Sequence, residues 1–90
     1  RQKQLTDALV SLKTASELAP QTTRYAYVYA VALDSAGNTQ AAINVLTKAL
    51  QFAPQDSQLL NGLAYYHEKS GNIEMSKQFK ATLERYYPSQ

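Results

Sequence analysis

Residues 23–56 read TRYAYVYAVALDSAGNTQAAINVLTKALQFAPQD, and the marks in this stretch return at a fixed interval on either side of it. Forward, Ala30 recurs as Ala64, Gly37-Asn38 as Gly71-Asn72, and Pro54 as Pro88. Backward, Ala42, Leu46, Ala49, Ala53 and Pro54 are preceded by Ala8, Leu12, Ala15, Ala19 and Pro20. Every one of these pairs is 34 residues apart. A constant period of this size means that one supersecondary unit is stacked repeatedly.

Within each period the apolar residues step by three and four, as one face of a helix requires. Leu5, Ala8, Leu9, Leu12 and Ala15 do so, then Ala26, Tyr29, Ala30 and Leu33, then Ala42, Ile43, Leu46, Ala49 and Leu50. Leu60, Leu63, Ala64 and His67 follow, and after them Ile73, Phe79 and Leu83. The spacing predicts five helices, over about 4–18, 23–36, 39–52, 57–70 and 73–86. Gly37 and Gly71 fall just past helix ends, where a left-handed backbone closes the last turn. Asn38, Asn72, Thr22 and Asp56 stand where short polar side chains cap the next helix. Pro20 and Pro54 cannot lie inside a helix, and every connection is short, so consecutive helices pack antiparallel.

Composition narrows the function classes. The chain has 90 residues, 44% of them apolar and 18% charged, with a net charge of +2. That suits a single small globular domain. No block of like charge exists, so neither nucleic acid nor membrane insertion is expected. Cysteine is absent, which excludes disulfides and thiolate metal sites and fits a cytoplasmic or a periplasmic setting alike. With one histidine, no nucleophile motif and no Gly-rich phosphate loop, the reading is of a chain that is not an enzyme and carries no cofactor or metal.

The repeated residues resemble the tetratricopeptide repeat, whose pattern over 34 residues is W-x2-L-G-x2-Y…A-x3-F…P. The copy at 23–56 fits best: Ala26, Tyr29, Ala30 and Leu33 stand in the Trp, Leu, Gly and Tyr slots. Ala42, Leu46, Ala49 and Pro54 take the Ala, Phe, Ala and Pro slots of its second helix. The copy at 57–90 keeps Leu60, Leu63, Ala64, Gly71 and Pro88. Its second helix carries Ser76, Lys80 and Glu84 instead, which reads as the polar outer face of a capping helix. Residues 1–22 supply a half repeat, its second helix only. The resemblance implies an all-α fold: a right-handed α–α superhelix of about two and a half repeats, taken from the C-terminal part of a longer protein. Its N-terminal half repeat would leave Leu5, Leu9 and Leu12 partly uncovered and open to self-association.

In this family the first helices of successive hairpins line a concave groove that binds a partner peptide or scaffolds an assembly. The matching positions are Arg24, Tyr27, Val31, Asp34 and Ser35, and one repeat on Gln58, Asn61, Tyr65, Glu68 and Lys69. The groove centre would be Tyr27, Val31, Asn61 and Tyr65, with Asp34 and Glu68 as a small acidic strip along one edge and Arg24 at the other. The family's carboxylate clamp for acidic chaperone tails is mostly absent: the slots for its Lys and Asn hold Tyr27 and Val31 in one copy and Asn61 and Tyr65 in the other, and among its remaining slots only Arg24 could serve, since Val28, Gln58 and Gly62 offer no cation. The alternative is a structural tail of a larger enzyme or of a multihaem electron-transfer protein, since such arrays also occur in bacterial multihaem cytochromes and glycosyltransferases.

Among the tyrosines, Tyr25 and Tyr29 read as packing between helices, Tyr86 and Tyr87 as closing the end of the core, and Tyr27 and Tyr65 as either solvent-facing or ligand-contacting. His67 fills a slot for a packed ring and reads as core rather than as a base. Asp34 and Glu68 read as a solvated helix edge rather than as an acid–base pair.

Overall fold

A computed structural model describes residues 2–88. Arg1 and the last two residues of the copy at 57–90 lie outside the described residues. Five helices follow in order: α1 (Gln2–Leu18), α2 (Thr23–Ser35), α3 (Thr39–Leu50), α4 (Ser57–Lys69) and α5 (Ile73–Tyr86). Each packs on the next, and α2 also touches α4 directly. The result is an α–α solenoid of 43 × 28 × 21 Å with α2 and α4 side by side.

The turns follow from the Gly-Asn pairs. Gly37 and Gly71 have φ of 87° and 85°, with nothing within 4 Å of where a side chain would begin. They are there for backbone conformation rather than for space. The N–H of Gly37 donates to the Asp34 carbonyl and that of Asn38 to the Leu33 carbonyl, both at 2.9 Å. Gly71 and Asn72 repeat the pattern on Glu68 and His67 at 3.0 and 2.8 Å. This double bond set satisfies the last carbonyls of α2 and α4.

The starts of the helices are less uniform than the repeat suggests. Asn38 and Asp56 cap as expected, accepting from the N–H of Ala41 and of Leu59, each at 3.1 Å. Thr22 and Asn72 occupy the cap positions of α2 and α5 without a side-chain bond to the helix.

The core runs through the two complete hairpins. Ala26 and Ala30 of α2, Ala42, Ile43, Leu46 and Ala49 of α3, and Leu59, Leu63 and Tyr66 of α4 form one buried cluster. Small residues at Ala30 and Ala42, both fully buried, let the helices approach, and Leu46 fills the space between them. Tyr66 is the tyrosine that belongs to this core, and burial pushes its phenol up to about 12, with the nearby Asp34 charge adding to the effect.

Three expectations are corrected here. Ser76 does not face outward: it is buried at 2% exposure in the slot where the central copy has Ala42, and its hydroxyl has no hydrogen-bond partner. Of the three polar residues read as the capping face, Lys80 and Glu84 are exposed on α5. Tyr25 is 42% exposed rather than packed between helices. Tyr86 and Tyr87 are exposed as well, because α5 ends beyond the core, and their rings stand edge to face at 6.4 Å.

Candidate peptide groove

The first helices α2 and α4 are fastened to each other at both ends. At the start, the Thr23 hydroxyl donates to Asp56 Oδ2 at 2.8 Å, while Asp56 Oδ1 caps α4. At the far end, Lys69 Nζ reaches both oxygens of Asp34 at 2.9 Å. Between the ties the helices come close because Gly62 has no side chain. A Cβ on Gly62 would lie 2.8 Å from Leu46 Cδ1 and 3.5 Å from Tyr27 Cε1, so the ring of Tyr27 rests over this glycine.

The residues expected to line the groove divide into two groups. Tyr27, Gln58 and Asn61 come together in an open depression of about 570 Å³, completed by Asp56, Ser57 and Tyr87. Arg24, Val31, Asp34, Tyr65 and Glu68 lie outside this depression. Tyr65 continues the row of Gln58 and Asn61 along α4 at helical spacing. It is 60% exposed, with its ring edge-on to Tyr66 at 5.3 Å. Val31, one repeat earlier at the position of Tyr65, is also exposed.

The expected acidic strip is not free charge. Asp34 accepts from the Thr39 hydroxyl at 2.6 Å and from Lys69, which together hold its carboxyl below the usual carboxylate range. The same pair raises the Lys69 ammonium above its ordinary value. Glu68 is paired with Lys80 at 3.1 Å. Asp34 meets its lysine because α2 and α4 bring positions about one period apart together, whereas Glu68 meets Lys80 across the α4–α5 hairpin, 12 residues on. Lys69 lies 35 residues after Asp34, so the pair was readable from the period itself.

Besides Asp56 and Ser57, the depression is lined by Tyr87, which the repeat pattern did not assign to the groove. Tyr87 follows α5, outside the first helices from which groove positions are drawn. Its hydroxyl donates to the Gln55 carbonyl, which brings its ring to the mouth of the depression. The antiparallel course of α5 on α4 was the available signal, since it returns the end of α5 to the start of α4.

The remaining chemistry is structural. His67 stacks on Phe79 with centroids 5.6 Å apart and planes 15° apart, and desolvation lowers its pKa. Among the described residues no group of three or more His, Cys, Asp and Glu is placed to hold a metal. No described helix is long and apolar enough to cross a membrane. A second furrow of about 490 Å³ lies on the opposite side, between α1 and α3, over Ala26 and Tyr29 and beside the exposed Phe52.

A family model for the tetratricopeptide repeat matches residues 1–64. No curated protein matches the chain. Folds of this family mediate protein–protein interactions, and the two carboxylates that could be read as an acid–base pair are each engaged by a lysine here.

Proposed function

Because the chain belongs to the tetratricopeptide-repeat family, we propose that α2 and α4 form a peptide-binding groove through which the protein docks a partner segment or scaffolds an assembly. Its centre is Tyr27, Val31, Asn61 and Tyr65. Gln58 and Arg24 lie toward one end, and Asp34 and Glu68 toward the other. The observation that carries this reading is the double fastening of α2 to α4 by Thr23–Asp56 and Asp34–Lys69. A groove whose walls are fixed before binding does not have to be ordered by its ligand, which lowers the entropic cost of association. Tyrosine suits such a surface, since it adds rigid contact area with a polar tip. The paired carboxylates leave the groove with little attraction for a strongly charged tail.

The test is selection from a displayed library of random linear peptides on the 90-residue chain. Enriched peptides are then measured against a Tyr27→Ala/Tyr65→Ala double variant and against a Phe52→Ala variant in the opposite furrow. The expected result is binding that the double variant loses and Phe52→Ala keeps. Binders that ignore the tyrosine pair, or that need Phe52, would move the site to the opposite face.

A further inference from the structure

Apart from the groove, we infer that the end of the stack formed by α1 and α2 docks an amphipathic helix of a partner protein, seated as α2 sits on α3 and α4. The molecule itself shows what covers such a face. One repeat on, α2 lies against both α3 and α4. There Ala42 and Leu46 of α3 and Leu59 and Gly62 of α4 are all buried. Counting back 34 residues gives Ala8 and Leu12 of α1 and Tyr25 and Val28 of α2. Leu12 is half-buried, while Ala8, Tyr25 and Val28 are exposed. The face is thus an existing helix contact continued by one repeat rather than an isolated apolar patch.

The chemistry of the occupant follows from the α1 side. Ala8, Leu12 and Ala15 repeat Ala42, Leu46 and Ala49 without change. Against those three, α2 buries Ala26 and Ala30 in the common core. The docked helix therefore needs small residues four apart, in the places of Ala26 and Ala30. A helix also brings its backbone groups already paired, as an apolar face between helices requires. A second copy of this chain does not offer such a surface. Among the described helices only α2 carries alanines four apart, and both are spent in its own core.

On the α2 side one position changes, and it sets the specificity. Tyr27 rests over Gly62, its Cε1 3.5 Å from where a Cβ would begin. One period earlier Val28 stands in place of Gly62. Its two methyls extend beyond that Cβ into the space such a ring would fill. The docked helix must carry a small residue in the place of Tyr27, since a ring there is rejected by overlap. Charge plays the lesser part. Arg24 matches Gln58, which lies beside Tyr27, and Asp7 matches the half-buried Ala41, so each edge of the face carries one charge of opposite sign. Lys13 and Glu17 match Thr47 and Gln51, which α2 leaves exposed. Val10 and Leu18 match the exposed Asn44 and Phe52, so self-association through them leaves this face open.

The experiment titrates the 90-residue chain with two end-blocked fluorescent peptides of the sequence 23–36, one unchanged and one carrying Tyr27→Ala. Anisotropy reads the affinity and backbone NMR shifts read the place. The expected result is saturable binding of the Tyr27→Ala peptide, with shifts at Ala8, Leu12, Tyr25 and Val28 and none at Gln58 and Asn61. The unchanged peptide should bind about tenfold more weakly, a loss within the range of overpacking. In the Val28→Ala chain only the Cβ remains, at ordinary contact distance from a ring, so the unchanged peptide should recover most of that tenfold. Val28 is 37% exposed and alanine is the better helix former, so this variant keeps its fold. Shifts centred on Gln58 and Asn61, equal affinity for the two peptides, a Tyr27 penalty that Val28→Ala leaves unchanged, or no saturable binding would each overturn the inference. So would a dimer in sedimentation whose concentration-dependent shifts map to Tyr25 and Val28, since the face would then belong to a second copy.

Discussion

Thr23 and Asp56 are 33 residues apart in the chain and meet at 2.8 Å, hydroxyl to carboxylate. The same carboxylate caps α4 through the Leu59 N–H. One side chain thus starts a helix and sets its distance from the helix one repeat earlier. Asp56→Ala should lower stability by about 1–2 kcal/mol, the usual cost of losing a helix cap, with the tie to Thr23 lost as well. Asn38→Ala should cost about 1 kcal/mol for its own cap. Asn72→Ala, whose side chain makes no cap bond, should cost visibly less. Denaturant midpoints of the three variants check this order, and an Asn72 effect equal to that of Asp56 would contradict it.

Acid should erode the fold in two steps. The folded pKa of His67 is lowered by desolvation, so the unfolded chain takes up this proton first as pH falls through the ordinary value of 6.5. Stability is therefore complete above that value and declines below it. Asp34 is also depressed, and its contribution is complete above the ordinary 3.8 and lost as pH falls through the lower folded value. His67→Tyr should flatten the first step while keeping a ring against Phe79. Asp34→Asn should flatten the second. The measurement is the urea midpoint between pH 8 and pH 2. A wild-type curve level from pH 7 to pH 5 would refute the first step.

Ser76 lies buried with an unpartnered hydroxyl at a position where the central copy has alanine. An unsatisfied buried polar group costs roughly 1–3 kcal/mol, and alanine is also the better helix former. Ser76→Ala should therefore stabilise the protein, by about 1 kcal/mol after allowance for partial relaxation. The contrast lies in the core, where Leu46→Ala should cost about 2–5 kcal/mol and Ala42→Leu about 1–3 kcal/mol by overpacking. Lys80→Ala removes only an exposed ion pair with Glu68, so about 1 kcal/mol or less is expected. Thermal melts of the four variants rank these effects directly.

The repeat explains which parts of this architecture could be read from residues alone. The period located α1 to α5 closely because each hairpin carries its own stop and start chemistry at Gly37-Asn38 and Gly71-Asn72. It failed at Ser76, where the residue type was polar but the slot remained internal. The slot is fixed by the stacking of α5 on α4, and a serine small enough for it is buried whatever its polarity. Of the residues proposed for the groove, Tyr27, Gln58 and Asn61 line the depression, and their place on the first helices was legible from the period. The pairing of Asp34 with Lys69 was missed because the two helices were read one at a time. Tyr87 was missed because its position depends on where α5 ends, a distance that no period encodes.

The N-terminal helix should be the weakest part of the stack. Among the described residues it packs on α2 alone, and Val10 and Leu18 are 60% and 80% exposed. Leu9 and Leu12 are half-buried, whereas their equivalents one period later, Ile43 and Leu46, are nearly or fully buried. Amides of α1 should exchange with solvent fastest and those of α4 slowest, since protection follows buried contact. Exposed apolar surface of this kind favours association, so sedimentation should show concentration-dependent self-association that Val10→Ser/Leu18→Ser weakens. Uniform protection across the five helices, or a monomer at all concentrations, would count against this.

Gly62 offers the sharpest test of how α2, α3 and α4 meet. Glycine inside a helix is unfavourable by about 1 kcal/mol relative to alanine, so on local grounds Gly62→Ala should stabilise α4. Tertiary geometry points the other way, because the new Cβ would lie 2.8 Å from Leu46 Cδ1. Leu46 is fully buried and cannot turn aside without displacing its own neighbours. Overpacking of about 1–3 kcal/mol should outweigh the gain in helix propensity, so the net effect is a loss. The cause can be isolated by coupling. In a Leu46→Ala background the clash is gone and the added methyl partly fills the cavity, so Gly62→Ala should become neutral or stabilising there. A double-mutant cycle by urea unfolding should therefore give an interaction energy within the range of about 0.5–3 kcal/mol typical of contacting residues. Additive effects would mean that Gly62 and Leu46 do not touch, and that the close approach of α4 to α3 beneath the Tyr27 ring has been placed wrongly.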